Sequence, residues 1–301
     1  MTVDRFTSAL ILTGPTGSGK STLSLDLADH LNAEIISMDS MALYRGMDII
    51  SAKPDVEAQR RIPHHLLDVL DPWESSSVAW WLERASEIVD DIQSRGRQPL
   101  FVGGTPLYLK AMLRGLFEGP PADELLRQQL LERAGELYDE LKEVDPPSAE
   151  KLHPNDQKRI VRALEVDHLP GTPISQWQKE WESEASREEQ GRIRCLCVNR
   201  PREELYARIN LRVLGMIDGG LIDEVKTLRD LPQPLSREAS QAVGYFEVCA
   251  FLDDKISQDD MIERIQRRSR QYAKRQLTWF RNLPECEMVE VNRVAELWSN
   301  Q

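Results

Sequence analysis

The chain has 301 residues, of which 41% are hydrophobic and 29% are charged, and its formal net charge is −12. This composition is typical of a globular protein with one large and one smaller domain, and no run of about 18 apolar residues or apolar signal core is present. We therefore expect a cytoplasmic protein without a membrane span, and the net negative charge alone argues against a nucleic-acid partner.

The first predicted elements are a strand, a glycine loop and a helix. The apolar run 9–12 is typical of a buried parallel strand, and apolar residues recur at helical spacing over 23–31. Between them lies the phosphate-binding pattern G-x-x-x-x-G-K-[ST], a P-loop, whose backbone N–H groups and lysine bind phosphate oxygens. A hydroxyl at its last position can bind Mg²⁺. The candidate phosphate-binding residues are Gly14, Pro15, Thr16, Gly17, Ser18, Gly19, Lys20 and Ser21, with Ser21 as the magnesium ligand.

The following segments continue to alternate between strands and helices. Asp39 follows an apolar strand at 34–38, a capped helix is predicted at 77–95, and Gly-Gly-Thr ending at Thr105 follows a strand at 100–102. This alternation predicts an α/β fold with a doubly wound parallel sheet, in which ligands bind at the carboxyl ends of the strands. Asp39 and Thr105 both follow such ends and are candidate site residues, although each is also a common type of turn residue.

The pattern changes near Pro120, where charged helical segments punctuated by prolines begin. A strand at 195–198 returns the chain to the sheet, and helices then continue to a short apolar stretch at 288–291. The sequence therefore predicts an all-helical insertion domain within the P-loop core. The expected limits are 1–119 for the first part of the core, 120–191 for the insertion, and 192–301 for the completion of the core with its basic helices.

The charge reverses locally between Ile262 and Arg281, where seven basic residues accompany one acidic residue. Tyr272, Trp279 and Phe280 lie among these charges, a combination suited to phosphate contact and base stacking. A solvated helix face is an equally good interpretation of such a run. Because the four cysteines and five histidines lack zinc-binding spacing, we expect reduced thiols and no transition-metal site.

The strand end before Thr105 does not have the aspartate that positions Mg²⁺ in nucleotide-hydrolysing P-loop proteins. Asp39 can then serve near the metal or as a general base, and Asp68 and Asp71 are further candidates for the base. The sequence therefore favours group transfer over ATP hydrolysis.

Several blocks of sequence occur in an order that is specific as a combination. They lie at 14–21, 39–49, 52–54, 63–68, 103–108, 153–156, 159–166, 220–225, 243–245 and 273–281. Together, from about Leu10 to Arg281, they resemble the signature blocks of the tRNA dimethylallyltransferase family. Four positions depart from the usual pattern: Ala42 stands where many members have Gln, Ile50-Ser51 replaces Gly-Thr, and Pro170 replaces Thr. These departures concern tRNA discrimination more than the diphosphate site.

The resemblance implies that the glycine loop binds the diphosphate of dimethylallyl diphosphate, with Mg²⁺ as cofactor. The acceptor is then the N6 amine of an adenosine beside the tRNA anticodon, flipped out of its stack. Asp39 is the expected catalytic base, Thr105 is expected near the reacting atoms, and Arg212 is a second cationic contact for the diphosphate. Because tRNA needs wide access to the crevice, we expect a monomer.

The resemblance also implies which residues contact the tRNA anticodon loop. Residues 39–42 are expected to hold the flipped base, and the insertion and the C-terminal helices are expected to contact the RNA around it. The expected tRNA-binding residues are Asp39, Ser40, Met41, Ala42, Thr105, Arg127, Lys158, Arg159, Ile160, Val161, Arg162, Gly244, Tyr245, Lys274, Arg275 and Trp279.

Two other classes of protein share the glycine loop. An ATP-dependent small-molecule kinase combines it with an α/β core and a helical lid, and an RNA-binding nucleotide switch combines it with a basic helix. Neither class requires the Asp39-Ser40 block together with Gly103-Gly104-Thr105.

Overall fold

The computed structural model describes residues 6–116, 119–120, 123–133, 135–169, 171–178 and 194–299. The chain divides into two compact units: the first comprises 2–113 and 191–301, and the second comprises 114–190. The sequence-based limits of the insertion stay a prediction. Its last residues from 179 onward, and the departure at Pro170, lie outside the described residues.

The first unit is built around a six-stranded sheet in the order β3-β2-β4-β1-β5-β6, and every pairing is parallel. The predicted α/β fold with a parallel sheet is thus confirmed. The carboxyl ends of β2, β4, β1 and β5, which are neighbours, meet at one edge of the sheet. The strands are β1 (Leu10–Thr13), β2 (Ala33–Met38), β3 (His64–His65), β4 (Gln98–Gly103), β5 (Arg194–Asn199) and β6 (Cys286–Glu290).

Helices connect the strands of the first unit along the chain, and further helices form the described part of the second unit. They are α1 (Lys20–His30), α2 (Asp48–Ser51), α3 (Val56–Arg61), α4 (Val78–Ser94), α5 (Pro106–Arg114), α6 (Glu124–Glu132), α7 (Leu137–Val144), α8 (Pro146–Lys151), α9 (Gln157–His168), α10 (Arg202–Asp218), α11 (Leu221–Arg229), α12 (Tyr245–Leu252), α13 (Gln258–Arg281) and α14 (Val294–Ser299). Short 3₁₀ helices lie at Ala239–Gln241 and Val291–Arg293.

Element limits follow local signals where those signals are strong. The helix predicted at 77–95 is α4, and the hydroxyl of Ser77 caps it by accepting a hydrogen bond from the N–H of Trp80 at 3.1 Å. Residues 288–290 of the predicted apolar stretch belong to β6, which begins at Cys286 because it pairs with β5 from Cys195 onward, and Val291 begins a 3₁₀ helix. The two-residue strand β3 carries no periodic pattern, and only its pairing with β2 defines it.

The core of the first unit lies on both sides of the central strands. Leu12, Ile35, Leu100 and Leu196, from four neighbouring strands, are fully or almost fully buried. Trp81 of α4 is fully buried; its indole N–H donates to the carbonyl of Ser37 at 3.1 Å, which ties the helix to β2.

The described part of the second unit contains helices and no strand. Its core includes Leu137 and Leu141 of α7 together with Leu164 of α9. Asp145 caps α8 by accepting from the N–H of Ser148, and Pro146 follows at the first helical position, where the missing N–H costs nothing.

No helix in the described ranges is long and apolar enough to cross a membrane. The four cysteines are free thiols. Within the described residues, no group of three or more His, Cys, Asp and Glu side chains is arranged to hold a metal ion.

Glu34 is a buried charge near the start of β2, so it lies toward the opposite end of the strand from Asp39. Its carboxylate accepts hydrogen bonds from Arg95 at 2.8 Å, from Arg97 at 3.0 Å and from the ring of His65 at 2.7 Å. The bond from Arg95 is the main cause that lowers the pKa of Glu34 to about 2. The cluster therefore stabilises the fold through an ionised carboxylate.

We expect Glu34→Gln to lower the free energy of unfolding at pH 7 by about 2 kcal/mol, because the three partners lose a buried charge. Since the pKa of Glu34 is lowered on folding, its contribution is complete above the unfolded pKa of 4.5 and is lost as the pH falls toward about 2. Urea unfolding of the wild type and the variant at several pH values measures the difference in the free energy of unfolding. The control Glu87→Gln breaks only the exposed pair with Arg84 and should cost about 0.5 kcal/mol or less. Equal losses in the two variants would contradict the prediction.

Candidate functional site

Three candidate segments come together at the carboxyl edge of the sheet. The loop from Gly14 to Ser21 follows β1, Asp39 follows β2, and Thr105 lies just beyond β4. These three strands are neighbours in the sheet. The parallel sheet therefore brings together the residues that the sequence predicts as phosphate-binding and catalytic.

The glycine loop leads directly into α1. Gly19 is the residue before the helix and has a φ of 93°, a left-handed conformation that favours glycine. It makes no side-chain cap, so the first N–H groups of α1 are left for another acceptor. A helix N-terminus with free N–H groups and partial positive charge favours an anion.

A cavity of about 290 Å³ opens beside this loop. Six of the predicted site residues line it: Thr16, Lys20, Ser21, Asp39, Ala42 and Arg212. These six residues bring two cationic side chains, one carboxylate and two hydroxyls to the cavity, and Lys53 and Asp55 also line it.

Burial shapes the charge of this cavity. It lowers the pKa of Lys20 to about 8, although the nearby carboxylate of Asp39 opposes the shift. Burial also lowers the pKa of Arg212, again opposed by Asp39. With Lys53 and Asp55, three cationic side chains and two carboxylates line the cavity, so positive charge is in excess and the cavity suits a polyanionic ligand.

Arg212 is only partly satisfied by the protein. One terminal nitrogen donates to the hydroxyl of Thr16, whereas Nε is buried without a hydrogen-bond partner. The hydroxyl of Ser18 in the same loop is likewise buried and unpartnered. Buried donors normally find an acceptor, and a bound phosphate oxygen would supply one.

Asp39 and Thr105 are joined through the backbone that follows β2. Oδ1 of Asp39 accepts from the N–H of Met41 at 2.9 Å, and Oγ1 of Thr105 accepts from the N–H of Ser40 at 3.1 Å. The N–H of Thr105 donates to the carbonyl of Met38 at 3.1 Å. These bonds hold the carboxylate and the hydroxyl on adjoining strand ends, where both were expected.

The two other candidate bases are engaged in ion pairs. Asp68 accepts from the ammonium of Lys53 at 2.5 Å, and Asp71 pairs with Arg45 at 3.0 Å. Lys53 has 3% of its side chain exposed, lines the cavity and also bonds Asp48 at 2.7 Å. Among the three candidate carboxylates, Asp39 is therefore the one that lines the cavity, and it forms no direct ion pair with a described residue.

The predicted tRNA-binding residues of the first unit differ in exposure. Lys274 and Arg275 are exposed on α13, and Trp279 on the same helix is 39% exposed. Gly244 caps α12 with a φ of 111°, and Tyr245 follows it half-buried. Side chains on α13 are thus accessible to a partner, and the tRNA-binding role of this set stays a prediction.

The predicted tRNA-binding residues of the second unit fall into three environments. Arg127 and Arg162 both pair with the buried carboxylate of Glu165, at 2.9 and 2.5 Å. Ile160 and Val161, exposed by only 1% and 5%, pack in the core of this unit, so their side chains are not at its surface. Lys158 and Arg159 are exposed, and Arg159 bonds Asp156 at 2.6 Å. Their roles toward tRNA stay predictions.

Three contacts to the glycine loop come from residues that the sequence analysis did not single out. Arg200, just after β5, donates to the carbonyl of Ser18 at 2.6 Å, and Arg208 of α10 donates to that of Gly17 at 2.9 Å. Gln276 of α13 accepts from the N–H of Thr16 at 2.8 Å. Gln276 lies in the block at 273–281, so the resemblance to the family could have drawn attention to it. Arg200 and Arg208 lie in none of the blocks, and no local pattern indicates their contacts.

Comparisons with known proteins agree over most of the chain. A family model described as IPP transferase matches residues 42–283. The tRNA dimethylallyltransferase 1 of Trichlorobacter lovleyi is 45% identical over 285 residues, which cover 93% of this chain and 92% of that protein. The tRNA dimethylallyltransferase of Geobacter sulfurreducens is 43% identical over 289 residues, covering 94% and 92%.

Solved structures with the same architecture point the same way. The full-length tRNA isopentenylpyrophosphate transferase of Bacillus halodurans superposes with a TM-score of 0.70 at 37% identity, covering 97% of this chain and 95% of that one. A eukaryotic dimethylallyltransferase acting on tRNA superposes with a TM-score of 0.76 at 30% identity, covering 97% and 76%.

Proposed function

The chain belongs to the tRNA dimethylallyltransferase family, and on that premise we propose that it transfers the dimethylallyl group of dimethylallyl diphosphate to the N6 amine of an adenosine next to the tRNA anticodon, releasing diphosphate. The observation that carries the proposal is the cavity in which Lys20 and Arg212 face Asp39. The family supports this function over an ATP-dependent kinase or an RNA-binding nucleotide switch.

The diphosphate end of the donor fits the cationic side of the cavity. The N–H groups at the start of α1, Lys20 and Arg212 are donors in a desolvated site, where charge-assisted hydrogen bonds are strong. As the allylic C–O bond breaks, its electron pair stays on the diphosphate oxygen, and these donors stabilise the added charge.

Asp39 and Thr105 act on the acceptor, the N6 amine of the adenosine. As the bond between N6 and the allylic carbon forms, the amine must lose a proton, and the carboxylate of Asp39 takes it. The hydrogen bond from the N–H of Ser40 to the hydroxyl of Thr105 holds the threonine against the backbone that follows Asp39. An adenine reaching this site leaves its stack in the anticodon loop, at a cost of a few kcal/mol.

A magnesium ion is compatible with the residues present. Mg²⁺ takes one or two protein oxygens and completes its shell with phosphates and water, and the Ser21 hydroxyl and Asp39 carboxylate line the same cavity. We propose that Ser21 holds the ion. When bound, Mg²⁺ neutralises charge on the diphosphate.

The physiological setting follows from the substrate. We propose that the protein acts as a monomer in the cytoplasm, where its anticodon-loop substrate needs open access to the cavity. The exposed basic residues of α13 and of the second unit supply the positive charge that the net balance of the chain lacks.

The test of the function uses purified protein, Mg²⁺, unmodified tRNA and either dimethylallyl diphosphate or ATP. Mass spectrometry of the tRNA nucleosides should show a prenylated adenosine with the allylic donor only. ATP turnover without a modified nucleoside would contradict the proposed transfer and would favour a kinase or a nucleotide switch.

Arg275→Glu should weaken tRNA binding and reduce the slope of log K against log salt by about one, because fewer counterions are released. Filter binding over a series of salt concentrations measures the slope. Arg84→Glu, an exposed arginine on α4 outside the predicted RNA surface, is the matched control and should leave the slope unchanged. Arg159→Glu applies the same test to the second unit. A wild-type slope in Arg275→Glu would assign that residue to the solvated surface.

A further inference from the structure

Gln276 is the most deeply placed polar side chain of the long helix α13. It is 2% exposed, although its neighbours Lys274 and Arg275 face solvent. Its Oε1 accepts from the N–H of Thr16 at 2.8 Å, and its Nε2 donates to the carbonyl of Gly104 at 2.6 Å. Both ends of the amide are therefore used, and they join two loops that are 88 residues apart in the chain.

A buried amide is not a general device for stability. Burying it costs free energy unless both ends are paired, and even then the net contribution of each hydrogen bond to stability is small. The buried face of α13 is otherwise largely apolar, with Ile265, Ala273 and Phe280. The amide at position 276 therefore contributes geometry: it fixes the direction of one N–H and one carbonyl.

The two backbone groups that Gln276 holds belong to the two halves of the site. Thr16 is in the glycine loop, and its hydroxyl is held separately by Arg212. Gly104 directly precedes Thr105, and a Cβ at position 104 would lie 2.6 Å from Nε2 of Gln276 and 3.5 Å from Nζ of Lys20. Glycine at this position thus makes room for the amide next to the lysine that faces the donor.

We propose that Gln276 is a positioning residue that sets the donor loop against the strand end carrying Thr105. This inference rests on the proposed function, since it concerns the same cavity. The amide aligns the diphosphate-binding loop with the catalytic pair without itself reacting. A displacement of about 1 Å between such groups costs on the order of 10²-fold in rate, so a single bridging side chain has a large effect.

The experiment compares Gln276→Met with Gln276→Glu. Methionine keeps the length and removes both hydrogen bonds, whereas glutamate keeps the acceptor for Thr16 and loses the donor for Gly104. We expect Gln276→Met to lower kcat/KM for dimethylallyl diphosphate by about 10²-fold and the affinity for inorganic diphosphate by about tenfold, with tRNA affinity within twofold of wild type. Gln276→Glu should fall in between. If Gln276→Met does not fold, Gln276→Glu takes its place: it should lower kcat/KM for the donor and the affinity for inorganic diphosphate while tRNA affinity stays unchanged.

A matched control lies on the same helix. Gln266 is half-buried, and its Nε2 also donates to a backbone carbonyl, that of Asn210 at 3.2 Å. Gln266→Met also removes a hydrogen bond of this helix to a backbone carbonyl, and it should leave both donor kinetics and diphosphate affinity unchanged. Equal effects in the two methionine variants would overturn the proposal by making Gln276 merely structural, as would wild-type donor kinetics and diphosphate affinity in a folded Gln276→Met. Calorimetric binding of inorganic diphosphate needs no transfer reaction, so it tests the proposal even if no prenylated adenosine forms.

Discussion

Asp39→Asn is expected to lower the rate of prenyl transfer by about 10²- to 10⁴-fold while tRNA affinity stays within a few-fold of wild type. Asparagine keeps the shape of the side chain and the oxygen that accepts from the N–H of Met41. It cannot take the proton that the N6 amine must lose, so the change affects the chemical step rather than the fold. Single-turnover transfer with saturating donor, together with filter binding of tRNA, separates the two quantities.

The control for this experiment is Asp71→Asn. Asp71 was an alternative base, but its carboxylate pairs with Arg45 and does not line the cavity. We expect transfer within about twofold of wild type in this variant, because only an exposed ion pair is lost. Near-normal transfer by Asp39→Asn would remove Asp39 from the role of the base.

Lys20→Met should lower kcat/KM for dimethylallyl diphosphate by about 10³-fold, because a desolvated ammonium is lost from the site that binds the diphosphate. Steady-state kinetics with varied donor and saturating tRNA measure the loss. The fold should be kept, since burial already disfavours the charge of Lys20 and methionine removes that cost. A loss smaller than about tenfold would show that Arg212 and the loop N–H groups suffice.

The same lysine gives a pH dependence with a defined sign. Because the pKa of Lys20 in the free protein is lowered to about 8, the fraction with a protonated ammonium falls as the pH rises through that value. The wild-type kcat/KM for the donor should therefore decline above about pH 8. Lys20→Arg, whose guanidinium stays charged, should be less active but should lose this decline. An unchanged pH profile in Lys20→Arg would assign the titration to another group.

The sequence was sufficient for the parts of the site that depend on local structure. The loop from Gly14 to Ser21 is recognisable because glycine, lysine and hydroxyl positions are dictated by one turn between a strand and a helix. Asp39 and Thr105 could be placed together because they follow adjacent parallel strands, and parallel pairing brings the carboxyl ends of strands to the same edge.

The sequence did not show which side chains of the helices in the second unit are buried and which are exposed. Ile160 and Val161 lie among basic residues in one block, and only the packing of α9 against its neighbours shows that they face the core. Arg127 and Arg162 come from different helices and meet at Glu165, which no local pattern predicts. Their exposure depends on how the helices of this unit are arranged around Glu165.

The sequence alone thus determined the main strands and helices of the α/β core, the phosphate loop, the position of Asp39 after a strand and the family to which the chain belongs. The tertiary structure decided which side chains complete the site: Gln276 meets Thr16 across 260 positions of sequence, and Arg200 and Arg208 reach the loop across 182 and 191. Local patterns reflect hydrogen bonding and burial within one element. Partners at such separations are selected by how whole elements pack, and no short stretch of sequence contains that information.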